Sequence, residues 1–205
     1  MNEAAGVFLR THRLLLRRFT AADVDLLVEL DSDPQVMHHI TGGLVTSREE
    51  IVNDVLPAFM DYYRRYDGFG FWAAEEQPAG RFVGWFHLRP SPDDDADTVE
   101  LGYRLRREAW GQGYAAEGSR ALIAKAFTEY GVRRVHAETM AVHGASRRVM
   151  EAAGLRYVRT FHQDWPYPIP GDEHGDVEYA LTREQWEGEQ DGRRTSPTTR
   201  GQPGS

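Results

Sequence analysis

Apolar residues along this chain change period several times, and each change marks an element. Leu14, Leu15 and Leu16 centre a short extended stretch from His12 to Arg18. Thr20-Ala-Ala-Asp23 has the form of a capping box with Asp in the place of Glu, and Leu26, Leu27 and Leu30 follow at helical spacing to about Ser32. Pro34 interrupts that helix. A second box, Ser47-x-x-Glu50, opens a longer helix whose apolar positions Ile51, Val55, Phe59 and Tyr62 recur at steps of three or four. After the Asp67-Gly68 turn signal, Phe69–Ala74 and Arg81–Leu88 predict an antiparallel hairpin joined by Gln-Pro-Ala-Gly. The acidic run Ser91–Asp97 is a solvated loop, and Thr98–Leu105 is a strand. Then come a Gly-rich turn, a helix over Tyr114–Tyr130, a strand over Val132–Thr139 and a helix over Ala145–Ala153 that stops at Gly154. Leu155–Phe161 and Val177–Leu181 are the last strands, and Thr182-x-x-Gln185 caps a final turn carrying Trp186. The order β-α-α-β-β-β-α-β-α-β-β fits an α/β (α+β) fold, a mixed and mostly antiparallel sheet of about seven strands with helices on both faces.

Composition narrows the partners. The chain has 205 residues, 40% of them hydrophobic, enough for one domain with a sizeable core. Its polar end, Glu187–Ser205, holds no large apolar residue and is expected to be a disordered tail after a domain over 9–186. A net charge of −8 argues against general binding to a nucleic-acid backbone. There is no Cys, so disulfides, Cys-based zinc sites and a Cys nucleophile are all excluded. The first residues lack the apolar stretch of a secretory signal, and no apolar run approaches the ~18 residues of a membrane span. A cytoplasmic protein without membrane or nucleic-acid partners is expected, as a monomer or a homodimer.

The chemistry sits in Val99–Ala116, VELGYRLRREAWGQGYAA. A strand runs into Gly111-Gln112-Gly113, and a helix begins at once. Glycines admit close backbone approach, the first helical N–H groups lack intrahelical partners, and the helix dipole adds partial positive charge. A pyrophosphate is the natural guest. No Lys-Ser/Thr pair follows the glycines, so this is not a nucleoside-triphosphate loop, and Ala116 stands where a dinucleotide fingerprint would have its third Gly.

The segment resembles the acetyl-CoA loop of the GNAT acetyltransferases, Arg/Gln-x-x-Gly-x-Gly/Ala, with Gly113-Tyr114-Ala115 in its last three places and Trp110 in its first. Trp110-Gly111-Gln112-Gly113-Tyr114-Ala115-x-Glu117 resembles the variant of the RimJ/RimL-like branch. The block His143–Leu155 is similar to the family's Asn-x-x-Ser…Gly-Phe, with Ser146 and Gly154 matching and His143 replacing Asn. Arg13–Arg17 with Thr20–Asp23, and Asp33–Met37, resemble the branch's first strand and helices. The resemblance covers about Leu9–Trp186.

It implies direct transfer of acetyl from acetyl-CoA to a primary amine, on a protein N-terminus or a small molecule; the alternative is an acyl-CoA-binding module without turnover. The implied cofactor-binding residues are Tyr103, Leu105, Gly111, Gln112, Gly113, Tyr114, Ala115, Ala116, His143 and Ser146, with backbone N–H groups around Tyr103–Leu105 stabilising the oxyanion. An amine of pKa near 10.4 is neutral in only about one molecule in 10³ at pH 7, so a base is needed. Glu100 is the first candidate, flanked by apolar residues that would raise its pKa; Glu138 is the second. Strand alternation puts Glu100 and Gly102 on one face and Val99, Leu101 and Tyr103 on the other. The family's Tyr general acid falls at Met150, which leaves Ser146 or water for that role. Arg106, Arg107, Arg147 and Arg148 are candidates for the CoA phosphates. The first two helices, Trp72, Trp85 and the segment His162–Pro170 would line the acceptor pocket. No metal is assigned, although His174, Asp172 and Glu173 lie close in sequence.

Overall fold

A computed structural model describes residues 6–90, 97–163, 165 and 169–195. Among these residues eight strands form one sheet: β1 (Val7–Arg10), β2 (Leu14–Arg18), β3 (Gly70–Glu76), β4 (Arg81–Pro90), β5 (Thr98–Leu105), β6 (Arg134–Met140), β7 (Arg156–Phe161) and β8 (Asp176–Thr182). Their order is β1-β2-β3-β4-β5-β6-β8-β7. Every pairing is antiparallel except β5 with β6. The eighth strand is β1, which the sequence pattern did not separate from the chain start; Phe8 stacks on Trp72 at 4.0 Å and holds it at the edge.

Among the described residues seven α-helices flank the sheet: α1 (Val24–Asp31), α2 (Pro34–Thr41), α3 (Arg48–Glu50), α4 (Leu56–Arg65), α5 (Tyr114–Glu129), α6 (Gly144–Ala152) and α7 (Arg183–Thr195). The Thr20–Asp23 capping box forms as expected, in a 3-10 turn just before α1. Pro34 does not merely interrupt. With Asp33 accepting from the Gln35 N–H, it starts α2, because a proline at the first helical position loses no hydrogen bond. Ser47 caps α3, and a π-turn over Ile51–Val55 joins α3 to α4. The tail expectation is corrected over 187–195: reciprocal Thr182–Gln185 bonds start α7, Trp186 packs on Phe127, and Arg156 pairs with Glu189, so the helix continues to Thr195. Residues 91–96 of the acidic loop and 196–205 lie outside the described residues.

Strand alternation divides the core in two. On one face Leu122, Ile123, Ala126 and Phe127 of α5 and Met150 of α6 pack on Trp72, Phe86, Val99 and Leu101. On the other, Leu27, Leu30, Val36, Ile51, Leu56 and Phe59 cover Phe71, Phe82 and Trp85. The two tryptophans of the hairpin therefore do not share a pocket. Trp72 pairs with Phe86 and Trp85 with Ala73, and each pair belongs to the opposite face.

Candidate active site

The parallel contact between β5 and β6 is brief. Thr98 faces Arg134, Val99 faces Val135 and Glu100 faces His136, and pairing then stops. From Leu101 to Leu105 the strand bonds only to β4, so its backbone groups on the β6 side have no strand partner. A sheet opened at its centre offers an extended ligand a row of N–H and C=O groups to bond. Trp110 bonds its indole N–H to the Leu105 carbonyl at 2.9 Å and leaves its ring 46% exposed at the end of this opening. Beyond it lies an open cleft of about 700 Å³ walled by Pro34, Val36, His39, Trp110, Val142 and His143.

Gly111 and Gly113 adopt φ of 71° and 80°, which side chains resist, and α5 begins at once with Gly113 as its N-cap. No side chain caps this helix, and its first intrahelical bond runs from the Glu117 N–H to the Gly113 carbonyl. The N–H groups of Tyr114, Ala115 and Ala116 thus have no partner within the helix. A pyrophosphate fits this cradle, which Gly111, Gln112 and Gly113 approach with backbone alone. Tyr114 turns its ring into the core rather than toward the cradle. His143 lies at the entry to α6, its ring stacked on His39 at 4.1 Å. Burial, then the nearby His39, His38 and Arg148, lower its pKa to about 4, so it is a neutral hydrogen-bonding group near pH 7.

Of the four arginines expected at phosphates, three have protein partners. Arg106 pairs with Glu29 at 2.5 Å and Arg107 with Asp33 at 3.4 Å, since both follow β5 onto the α1–α2 side. Arg147 donates to the Tyr179 hydroxyl and the Ala141 carbonyl. Arg148 is exposed and makes no ion pair among the described residues.

The alternation of β5 sets two chemistries on opposite faces of the opening. On the α6 side the Tyr103 hydroxyl lies 3.0 Å from Ser146 Oγ and donates to the Ser146 carbonyl at 3.2 Å. Burial pushes its pKa up to about 12, so it stays a proton carrier at every working pH. Met150 is 3% exposed in the core below and contributes no polar group. Sequence reasoning gave Tyr103 only a backbone role, because nothing local shows that its ring reaches α6.

On the other face, Arg89 of β4 grips Glu100 Oε2 through Nε at 3.0 Å and Nη2 at 2.7 Å, while His87 Nε2 lies 3.3 Å from Oε1. Burial alone would raise this carboxyl, but His87 and Arg89 outweigh it and hold the pKa at about 2. The expected raised pKa is therefore overturned: its neighbours along β5 are apolar, but across on β4 Arg89 supplies a cation and His87, itself lowered by burial, a polar group beside Oε1. Glu138 behaves as Glu100 was expected to. Burial, then the charges of Glu100 and Glu178, push its pKa up. It sits on β6 two residues past the last β5 partner, beside the opening, with His136 Nδ1 at 4.0 Å. Within the segment His162–Pro170, residues 164 and 166–168 lie outside the described residues; Ile169 is 1% exposed.

These features coincide with those of known proteins. A family model described as acetyltransferase (GNAT) domain matches residues 13–156. The chain is 38% identical over 192 residues to the FsC-acetyl coenzyme A-N(2)-transacetylase of Aspergillus fumigatus, covering 91% of this chain and 80% of that protein. The fold is similar to that of RimL, a ribosomal L7/L12 alpha-N-protein acetyltransferase solved with coenzyme A, at TM-score 0.72 and 20% identity over 87% of this chain and 99% of the other. It is also similar to spermidine N-acetyltransferase from Vibrio cholerae, at TM-score 0.70 and 12% identity over 86% and 99%. A sheet opened between two parallel strands, a glycine cradle at the start of α5, and a family match across most of the domain lead to one conclusion: the chain belongs to the GNAT acetyltransferase family.

Proposed function

We propose that this acetyl-CoA-dependent N-acetyltransferase acts on the primary amine of a small, positively charged molecule, which enters from the Glu100–Glu138 face of the opened sheet. The observation that carries this reading is the pair of carboxylates beside the β5–β6 opening, one held ionised by Arg89 and His87, the other with a raised pKa. In this reading Glu100 stays anionic and attracts the acceptor's ammonium, since a carboxyl of pKa about 2 is a poor proton acceptor. Glu138, closer in pKa to the working range, takes the proton and leaves a neutral amine. Acetyl-CoA supplies the activated acyl group. Backbone N–H groups of Tyr103–Leu105 hold the negative charge that develops on the carbonyl oxygen, an effect worth roughly 3 kcal/mol in such sites. The Tyr103 hydroxyl, fixed by Ser146, donates toward the departing thiolate. His143 and the Gly111–Gly113 cradle hold the rest of the cofactor, and Arg148 is the arginine left for its phosphates.

A nitrogen next to a substituted carbon is favoured as acceptor, because the relative at 38% identity is named an N(2)-transacetylase. A protein N-terminus, the RimJ/RimL-like reading, has the support of the likeness to RimL in fold. We place the enzyme in the cytoplasm with its co-substrate; among the described residues no helix is long and apolar enough to cross a membrane.

Free-thiol release from acetyl-CoA, measured against α-amino acid derivatives, linear polyamines and N-terminal peptides, tests the acceptor. The reading predicts kcat/KM at least about tenfold higher for small α-amines than for peptides. Preference for peptides would move the assignment to N-terminal acetylation.

A further inference from the structure

The cofactor cradle is held from outside its own segment. Arg13, just before β2, lies a hundred residues away in sequence, yet it donates through Nη1 to the Gln112 carbonyl at 2.8 Å. Its Nε and Nη2 each reach Glu117 Oε2 at 2.7 Å, and its backbone N–H donates to Glu117 Oε1 at 2.8 Å. The Thr11 hydroxyl donates to the same Oε1 at 2.6 Å. The guanidinium also covers the Tyr114 ring at 4.6 Å. The Tyr114 hydroxyl in turn donates to Glu76, which pairs with Arg81 at 2.8 Å. The β1–β2 turn and the end of β3 are thereby tied to the first turn of α5.

We propose that Arg13 and Glu117 form a positioning brace that presets the cradle for the pyrophosphate; this rests on the cofactor reading above. Two physical arguments carry it. First, a trans peptide is planar, so fixing the Gln112 carbonyl also fixes the Gly113 N–H, which points the opposite way from Arg13. Gly113 lies at φ 80° at the uncapped start of α5, and the other side-chain bond of this loop among the described residues, from Gln112 Nε2 to the Glu108 carbonyl, does not involve the Gln112–Gly113 peptide. Second, Glu117 places a carboxylate at the first helical turn, where a bound anion would be repelled. Burial alone would raise its pKa, but the Thr11 and Arg13 bonds hold it lowered and ionised, and Arg13 cancels its charge. Glu117 accepts four of these bonds and is 15% exposed, so it anchors Arg13 and does not itself meet the cofactor.

The test compares acetyl-CoA with S-acetyl-pantetheine, which lacks the pyrophosphate, as acyl donors for wild type, Arg13→Ala and Glu117→Gln. Thermal melting accompanies each variant. A brace predicts that Arg13→Ala raises the KM for acetyl-CoA by about tenfold while kcat changes by less than about threefold. The preference for acetyl-CoA over acetyl-pantetheine then falls by a similar factor. Glu117→Gln, which keeps the acceptor oxygen and loses the charge, gives a smaller shift in the same direction. Equal losses on both donors would overturn the brace and leave a purely structural role, as would an unchanged acetyl-CoA KM. Should Arg13→Ala fail to fold, Arg13→Lys and Glu117→Gln carry the same comparison. Wild-type protein that fails to bind CoA in calorimetry would instead sink the cofactor reading itself, a result the variants do not mimic.

Discussion

At the scale of single residues, the two carboxylates of the opening carry different burdens, and each burden has a measurable sign. Glu138 has a pKa raised by burial and by like charges, so its ionised form is disfavoured in the folded state. Its contribution to stability is present at low pH and lost as pH rises through the folded pKa. Glu138→Gln is therefore expected to melt at or above the wild-type temperature at pH 7 while kcat/KM for the amine falls about 10²-fold, the usual loss when a base is removed. A variant that loses stability along with activity would make Glu138 a structural residue. Glu100 carries the opposite sign, with a pKa held at about 2. Glu100→Gln should therefore raise the amine's KM and, because the Glu100 charge helps hold the Glu138 pKa up, shift the acid limb of kcat/KM toward lower pH without abolishing it. A limb that vanished in that variant would return the base role to Glu100. Tyr103→Phe removes a hydroxyl that reaches Ser146 at 3.0 Å. It is expected to lower kcat with little change in either KM, read from initial rates at saturating donor.

At the scale of elements, the register of β4 on β5 decides which side chains share the acceptor face. His87 pairs with Gly102, and a Cβ added there would run into the imidazole. Gly102→Ala should displace His87 from Glu100, cost about 1–3 kcal/mol in urea unfolding, and reduce amine turnover. Calorimetric CoA affinity should hold, because the cradle is built by α5. A variant that loses CoA affinity as strongly as turnover would contradict the separation of faces. Much of this architecture was legible in the sequence, because helix starts carry local chemistry. The box at Thr20–Asp23, the cap at Ser47, and the reciprocal pair of Thr182 and Gln185 all form. So was the cradle, since Gly111 and Gly113 flank one residue just before a helical period. What could not be read was partnership across strands. The pKa of Glu100 is set by Arg89 and His87, which only the β4–β5 pairing brings near. Arg106 and Arg107 looked free until α1 and α2 delivered Glu29 and Asp33. Strand β1 is four residues long at the chain start, too short for its period to show. Tyr103 illustrates the same point from the cofactor side. Its face was correctly read from alternation, but its contact with α6 depends on how that helix packs.

For the whole molecule, buried titratable groups make acid the natural stress. His143 is pushed to about 4 by burial, below its ordinary 6.5, so the unfolded chain takes up a proton first as pH falls. Its stabilising contribution is complete above about pH 6.5 and is lost toward pH 4. Glu100, whose ordinary value is 4.5, contributes above that pH and loses its contribution toward 2. Melting temperature is predicted to fall in these two successive windows as pH drops, with His143→Asn lessening only the first, which His39 and His87, also lowered by burial, share. An unchanged first window in that variant would assign the decline to other groups. In the proposed mechanism the catalytic labour is divided by face, with donor groups under α5 and α6 and acceptor groups on the opposite side. The most direct test of that division is a single assay on the full chain with acetyl-CoA and a small α-amine. Free thiol and acetylated amine are quantified together, for wild type and Glu138→Gln. Base-assisted transfer predicts one acetylated amine per thiol released, and a loss of about 10²-fold in the variant at unchanged CoA affinity. Thiol release without acetylated amine, or a variant as fast as wild type, would contradict base-assisted transfer at the β5–β6 opening.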